Sequence, residues 1–219
     1  MPKRNKTTGR FEKGSNRKLI NDFSKITPES SYWLGFLFGD GSIDSADKLQ
    51  LCLSSVDHSH TQKLSQFLFG VDYTNYYPQH TKSHMQITSH CLAQQLKKYN
   101  IIPDKTYKSN MILPNRHKKD FLRGFFDADG WISIGKSWNT QYNKHYDRHC
   151  FGVCSYLKTN IETFNSYMPH PGNINKKRNQ ELYELRWGSK PQIIDLAKYL
   201  QGFPRLDRKW IKLDKLING

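Results

Sequence analysis

The strongest constraint on this chain is a segment that occurs twice. Residues 32–43 read YWLGFLFGDGSI and residues 121–134 read FLRGFFDADGWISI. The two share Gly35/Gly124, Phe36/Phe125, Asp40/Asp129, Gly41/Gly130 and Ile43/Ile132. Each is apolar along most of its length and stops at an acid followed by glycine. Thr27 can cap the first copy, Pro28 suits the first helical position, and Glu29 favours the positive end of a helix. Helices are expected over 27–40 and 115–129.

Small residues recur four apart in both copies, Gly35 with Gly39 and Gly124 with Ala128. That spacing places them on one face and lets a second helix approach closely. A glycine inside a helix costs about 1 kcal/mol relative to alanine, so a matched pair argues for a packing role. The simplest partner for each helix is the other copy. Asp40 and Asp129 then close the C-terminal ends, where the helix dipole is negative. Taken singly, an Asp-Gly pair reads as a turn. Taken together on paired helices, the two carboxylates converge, and they repel unless they share a proton or hold a cation.

The rest of the chain follows the same duplication. KLQLCLS (48–54) alternates, with Leu49, Leu51 and Leu53 on one face. DHSHTQKLSQFLFG (57–70) reads as a helix with Leu64, Phe67 and Leu68 inward. YTNYYPQ and HMQITS read as strands, and LAQQLKKYN (92–100) as a helix. MQITS (85–89) matches LRWGS (185–189) at an offset of 100, whereas the two aspartates are only 89 apart (129 − 40). The second copy therefore holds 11 extra residues (100 − 89) between Asp129 and Ser155, which predicts a longer first hairpin there. The fold class expected is α+β, two pseudo-symmetric α-β-β-α-β-β-α repeats over 27–114 and 115–219. Residues 1–26 read as a basic N-terminal arm able to add phosphate contacts.

Lys and Arg number 34 against 19 Asp and Glu, a formal charge of +15. Such an excess attracts polyanions, nucleic acid first among them. The four cysteines form no C-x-x-C pair and suggest no secreted disulfide framework. His145, His149, Cys150 and Cys154 lack the usual zinc spacings and read as strand residues. No apolar run is long enough to span a membrane and no signal-peptide core is present, so a soluble, intracellular protein is expected.

The two segments, LGFLFGDG and LRGFFDADG, resemble the LAGLIDADG motif of homing endonucleases in the single-chain, two-motif form. The resemblance covers about residues 27–219. It implies two antiparallel sheets forming a saddle over double-stranded DNA, with the motif helices at the centre of a monomer that acts as a pseudo-dimer. It implies metal-dependent hydrolysis of phosphodiester bonds with 3′ overhangs, and mobility tied to an intron or intein. Asp40 and Asp129 would be the metal-binding catalytic acids, holding two or more Mg²⁺ ions with Mn²⁺ as a substitute. Hard oxygen ligands suit Mg²⁺, which keeps waters and phosphate oxygens in its other positions. A basic residue after the last helix of each repeat would support the chemistry. Lys105, with Lys108 as rival, serves the first repeat; Lys209, with Arg208 and Lys212 as rivals, serves the second. The motif's earlier acid is Asp127 in the second copy and Phe38 in the first. Asp127 is two helical positions before Asp129 and points elsewhere, so it is not read as a ligand. The polar position opening the middle helix would be Asp57, with Lys158 its rough counterpart.

Strand alternation supplies the expected DNA surface. With Leu49, Leu51, Leu53, Met85 and Ile87 inward, Lys48, Gln50, His84 and Gln86 face out. With Phe151, Val153, Leu185 and Trp187 inward, Arg148, Glu184 and Arg186 face out, with Cys150 beside them; Lys136 in the long hairpin joins the set. Arg, Lys and Gln suit base edges and phosphates. Two readings on the same fold stay open, a DNA binder that does not cut and an intron RNA maturase. Aspartic proteases also carry one Asp-Gly motif per half, but in strand-rich loops rather than at the ends of apolar helices.

Overall fold

A computed structural model describes residues 18–218. Helix α1 (Pro28–Gly39) opens on a capping box. Thr27 Oγ1 accepts from the Ser30 backbone N–H, and Ser30 Oγ accepts from that of Thr27. The chain turns at Asp40 into β1 (Gly41–Ile43) and β2 (Lys48–Ser54). Helix α2 (His58–Phe69), β3 (Asn75–Tyr77), β4 (Lys82–Thr88) and α3 (His90–Lys97) complete the first repeat, and a single 3₁₀ turn (Lys105–Tyr107) follows. The second repeat runs α4 (Lys118–Asp129), β5 (Gly130–Asn139), β6 (Lys144–Ser155), α5 (Lys158–Ser166), β7 (Asn173–Lys176), β8 (Tyr183–Trp187) and α6 (Lys190–Leu200). One more helix, α7 (Asp207–Asn218), has no helical counterpart after α3.

The expected α-β-β-α-β-β-α order is present in both halves. Each half has a four-stranded antiparallel sheet of the same topology, β1-β2-β4-β3 and β5-β6-β8-β7. The hairpin of the second repeat is the longer one, pairing ten residues of β5 with β6 from Gly130↔Val153 to Asn139↔Lys144. Its counterpart pairs only Gly41–Ile43 with β2. Leu49, Leu51, Leu53, Met85 and Ile87 are buried from the first sheet, and Phe151, Val153, Leu185 and Trp187 from the second. Helix α3 is shorter than the 92–100 expected, closing at Lys97. Helix α4 starts at Lys118 rather than 115, because His117 has positive φ (58°) and cannot extend the helix backwards.

Helices α1 and α4 form the centre. A Cβ built on Gly35 would lie 1.9 Å from the carbonyl oxygen of Phe121, and one on Gly124 would lie 2.0 Å from that of Tyr32. The two backbones therefore touch, and only a hydrogen fits between them. Nearer the acids, a Cβ on Gly39 would lie 2.3 Å from that of Ala128. Every residue of α1 from Ser30 to Phe38 is buried. The Ser31 hydroxyl donates to the His117 carbonyl at 2.7 Å, tying the start of α1 to the start of α4.

Of the N-terminal arm, residues 1–17 lie outside the described residues. The rest of the expected arm, residues 18–26, is not a free extension but packs on the first repeat. The Ile20 N–H donates to Leu68 O at 2.9 Å, and the buried Phe23 donates from its N–H to Gln95 Oε1 at 2.8 Å.

Candidate active site

Close packing of α1 on α4 brings the two helix ends together, and with them the two acids. Asp129 Oδ2 would stand 3.0 Å from a Cβ on Gly39, the residue before Asp40. Burial raises the Asp129 carboxyl first, and repulsion from Asp40 raises it further. Lys105 and Lys209 oppose both effects, and the carboxyl settles at about 7. Asp40 is raised in the same way, by desolvation against the pull of Lys209 and Lys105. Asp40 is the more exposed residue of the two and Asp129 is half-buried, so the conflict between the acids is expressed mainly at Asp129.

A lysine serves each helix end. Lys105 Nζ donates to the carbonyl of Gly39 at 2.8 Å. Lys209 Nζ donates to the carbonyls of Phe126, Asp127 and Ala128 at 3.1, 2.5 and 3.2 Å. Both ammonium groups thus bind carbonyls in the last turn of a helix, where most have no intrahelical partner, and both oppose its negative pole. Both are buried, and desolvation lowers their pKa, Lys209 to about 8, while the neighbouring acids pull the other way. Their rivals lie elsewhere. Lys108 is exposed and faces Asp104, Lys212 is exposed, and Arg208 forms a two-oxygen ion pair with the buried Asp57 of the first repeat. Lys158, the counterpart of Asp57 by position, pairs with Glu162 on the surface of α5.

A pocket of about 160 Å³ opens beside Asp129, among Gly39, Lys105, Ser109, Cys154 and Asn160. The Ser109 hydroxyl is buried and has no hydrogen-bond partner among the described residues. The Cys154 thiol is pushed up to about 11 by burial and then by Asp129, so it stays protonated. It donates to the Asp129 carbonyl at 3.4 Å. His145, His149 and Cys150 lie along β6 with Cys154, as read from their spacing. Among the described residues no group of three or more His, Cys, Asp and Glu side chains converges.

The side chains read as outward-facing lie on the sheet surfaces. Gln50 pairs across strands with Gln86, and Cys52 with His84. Lys48 is half-buried and pairs with Asp44. In the second sheet Lys136, Arg148 and Arg186 are exposed beside one concave surface that also holds Trp131 and Cys150. Arg186 pairs with Glu184 and lies over the Trp131 ring at 5.7 Å.

Sequence reasoning set Asp127 aside as a residue that points away from the acids, and left out the neighbours that hold it. Asp127 is 1% exposed and accepts from Tyr32 Oη, Leu206 N and Trp210 Nε1. His60, held neutral by burial with its pKa at about 3, is hydrogen-bonded to the same tyrosine hydroxyl at 2.9 Å. The fully buried Arg123 satisfies carbonyls after α6 and lies over the Tyr32 ring at 5.2 Å. The signal for Asp127 was visible as its mismatch with Phe38, but its donors lie far away in the chain.

Two paired helices tipped by acids, each continuing into a four-stranded sheet, define a duplicated α+β architecture. Solved structures that align with it include LAGLIDADG homing endonucleases. The meganuclease I-SmaMI bound to an uncleavable DNA aligns with a TM-score of 0.68 at 12% identity, over 89% of this chain and 90% of that one. I-LtrWI bound to target DNA aligns at 0.61 and 12% identity, over 86% and 89%. I-AabMI bound to uncleaved DNA aligns at 0.60 and 14% identity, over 89% and 99%. I-SmaMI has also been solved on an uncleaved DNA target in the presence of calcium ions. No family model and no curated protein matches the sequence. The chain has the LAGLIDADG homing-endonuclease fold in its single-chain form.

Proposed function

We propose that the chain is a site-specific endonuclease that hydrolyses phosphodiester bonds of double-stranded DNA with divalent cations, leaving 3′ overhangs. One observation carries this reading: Asp40 and Asp129 converge at the ends of the paired helices, with buried Lys105 and Lys209 beside them. A fold that served only to bind would have no use for a buried carboxylate pair in which desolvation first, and repulsion from Asp40 second, raise Asp129 to about 7.

The donor set fits a hard cation. Two carboxylates, with no third His, Cys, Asp or Glu side chain converging on them among the described residues, suit Mg²⁺, which retains waters and accepts phosphate oxygens. Asp40 and Asp129 would hold it, and neutralising their repulsion would favour binding. Bound there, such cations supply an activated water and neutralise charge on the reacting phosphate. The remaining work falls to the chain itself. Lys105 and Lys209, held by helix carbonyls, keep positive charge at the two acids in a fixed direction. The exposed faces of the two sheets bind and orient the duplex through Lys48, Gln50, His84, Gln86, Lys136, Arg148 and Arg186. A formal charge of +15 makes that binding fall steeply with salt.

The test is a randomised duplex library incubated with the protein, with and without Mg²⁺, beside the Asp40→Asn/Asp129→Asn double variant. Cutting is expected only with Mg²⁺, and the double variant should lose at least about 100-fold of it while still binding DNA. Cutting by the double variant at the wild-type rate would overturn the reading. Sequence-specific binding without cutting by the wild type would assign the chain to the non-cleaving binders.

A further inference from the structure

Lys209 owes its place to a residue that touches neither metal nor phosphate in the reading above. Asp127 is buried two residues before the end of α4, and its two oxygens take three donors. The Leu206 N–H donates at 2.7 Å and Tyr32 Oη at 2.8 Å, both to Oδ2, while Trp210 Nε1 donates to Oδ1 at 2.8 Å. Leu206 and Trp210 lie on either side of Lys209 in the chain. The same residue's carbonyl receives the Lys209 ammonium at 2.5 Å. One acid therefore fixes the first turn of α7 with its side chain and receives the lysine of that turn with its backbone. The link extends across the repeats, because Tyr32 belongs to α1 and is hydrogen-bonded to His60 of α2.

The first repeat has no such device. Phe38 stands where Asp127 stands in the second, and it packs on Phe121 and Phe125. Lys105 sits in an isolated 3₁₀ turn and reaches one carbonyl. We propose that Asp127 is a positioning residue for Lys209, locking α7 so that one of the two catalytic halves is held by a polar clamp that the other half lacks. The catalytic consequence rests on the nuclease reading; the clamp does not.

The experiment has two arms. In the first, intact protein is treated with a trace of sulfo-N-hydroxysuccinimidyl acetate, and acetylation of Lys209 relative to Lys212 is read by peptide mass spectrometry. Lys209 should react at least about 10-fold more slowly than Lys212 in the wild type, because reaction requires local opening. Asp127→Asn should remove most of that protection. Trp210→Phe, which deletes one donor and keeps a ring, should remove part of it. Leu213→Ala, a core change in α7 that spares the clamp, should leave the ratio unchanged at a comparable loss of Tm. In the second arm, supercoiled plasmid carrying a selected target is cut. Asp127→Asn should slow one strand by about 10- to 100-fold and leave the other near wild type, so nicked circles accumulate. Lys209 that stays protected in both Asp127→Asn and Trp210→Phe would overturn the proposal. So would equal exposure of Lys209 in Leu213→Ala, or balanced slowing of both strands. A wild type that cuts nothing would sink the nuclease reading alone, since the acetylation arm still decides the clamp.

Discussion

The two repeats have the same sheet order and the same acid at the same helix end, yet they are built differently around that acid. The first follows Asp40 with a three-residue strand, packs Phe38 beneath it, and brings Lys105 on a single turn. The second follows Asp129 with a ten-residue strand, buries Asp127 beneath it, and brings Lys209 on a twelve-residue helix. Only the contact between α1 and α4 is the same from both sides. Symmetry is thus enforced where two backbones touch and relaxed where side chains can compensate. Glycine has no substitute at a backbone contact, whereas the position two residues before each acid can be filled by a packed ring or by a hydrogen-bonded acid.

The largest expected effect tests the symmetric part. Gly35→Leu and Gly124→Leu should each destabilise by about 3 kcal/mol or more, and by similar amounts, because each forces a side chain into the opposing helix backbone. Gly135→Ala is the control, since a Cβ there meets nothing within 4 Å and should change stability by less than about 0.5 kcal/mol. Chemical denaturation measures all three. A large inequality between Gly35→Leu and Gly124→Leu would break the comparison at its centre.

A smaller effect separates the two acids. Asp129 titrates at about 7 in the folded chain and near its ordinary value of 3.8 when unfolded. Its folded form therefore holds a proton that the unfolded form has lost, and stability from this group falls as pH rises from about 4 to about 7. Without divalent cation, the Tm of the wild type should decline over that window relative to Asp129→Asn, a difference that removes the opposite rise which His60, with its folded pKa of about 3, contributes to both. Mg²⁺ should close that difference at neutral pH. Asp40→Asn should shift the decline to lower pH, because the carboxyl repelling Asp129 is gone. An unchanged profile in Asp129→Asn would show that other groups govern this window.

The smallest effect concerns reach. The long hairpin carries exposed Trp138, Tyr142 and Tyr146 among Lys136, Lys144 and Arg148, and the first repeat has nothing of that length. Footprinting on a selected target should show protection extending further on one side of the cut. Replacing residues 136–147 with a short turn should trim that side and weaken binding by about 10-fold, with a shallower salt slope. A footprint of equal arms before and after the change would remove this difference between the halves.

Much of this organisation was legible in the sequence. The duplicated segment gave the helix pair, strict alternation gave the inward faces of both sheets, and the count between matched segments located the long hairpin. The boundary of α4 was missed because His117 adopts a positive φ that the pattern does not encode. Helix α7 was missed because GFPRLDRKW opens like a loop, although Trp210, Leu213 and Leu216 follow at helical spacing and are buried. The choice among Lys209, Arg208 and Lys212 depended on which one the fold buries. Asp127 shows the limit most clearly: its three donors lie 95, 79 and 83 residues away, beyond the reach of any local pattern.

Helix α1 has no polar face, and this matters during synthesis. Everything from Ser30 to Phe38 is covered in the finished fold, and the main cover is α4, which begins 79 residues after α1 ends (118 − 39). At about 5–20 residues per second, α1 would wait roughly 4–16 s at the ribosome before its partner is made. An apolar helix with no exposed polar stripe, left uncovered for seconds, is a substrate for chaperones and a seed for aggregation. Yield in cells should therefore respond to translation speed between residues 40 and 118 more than to the thermodynamic stability of the completed protein.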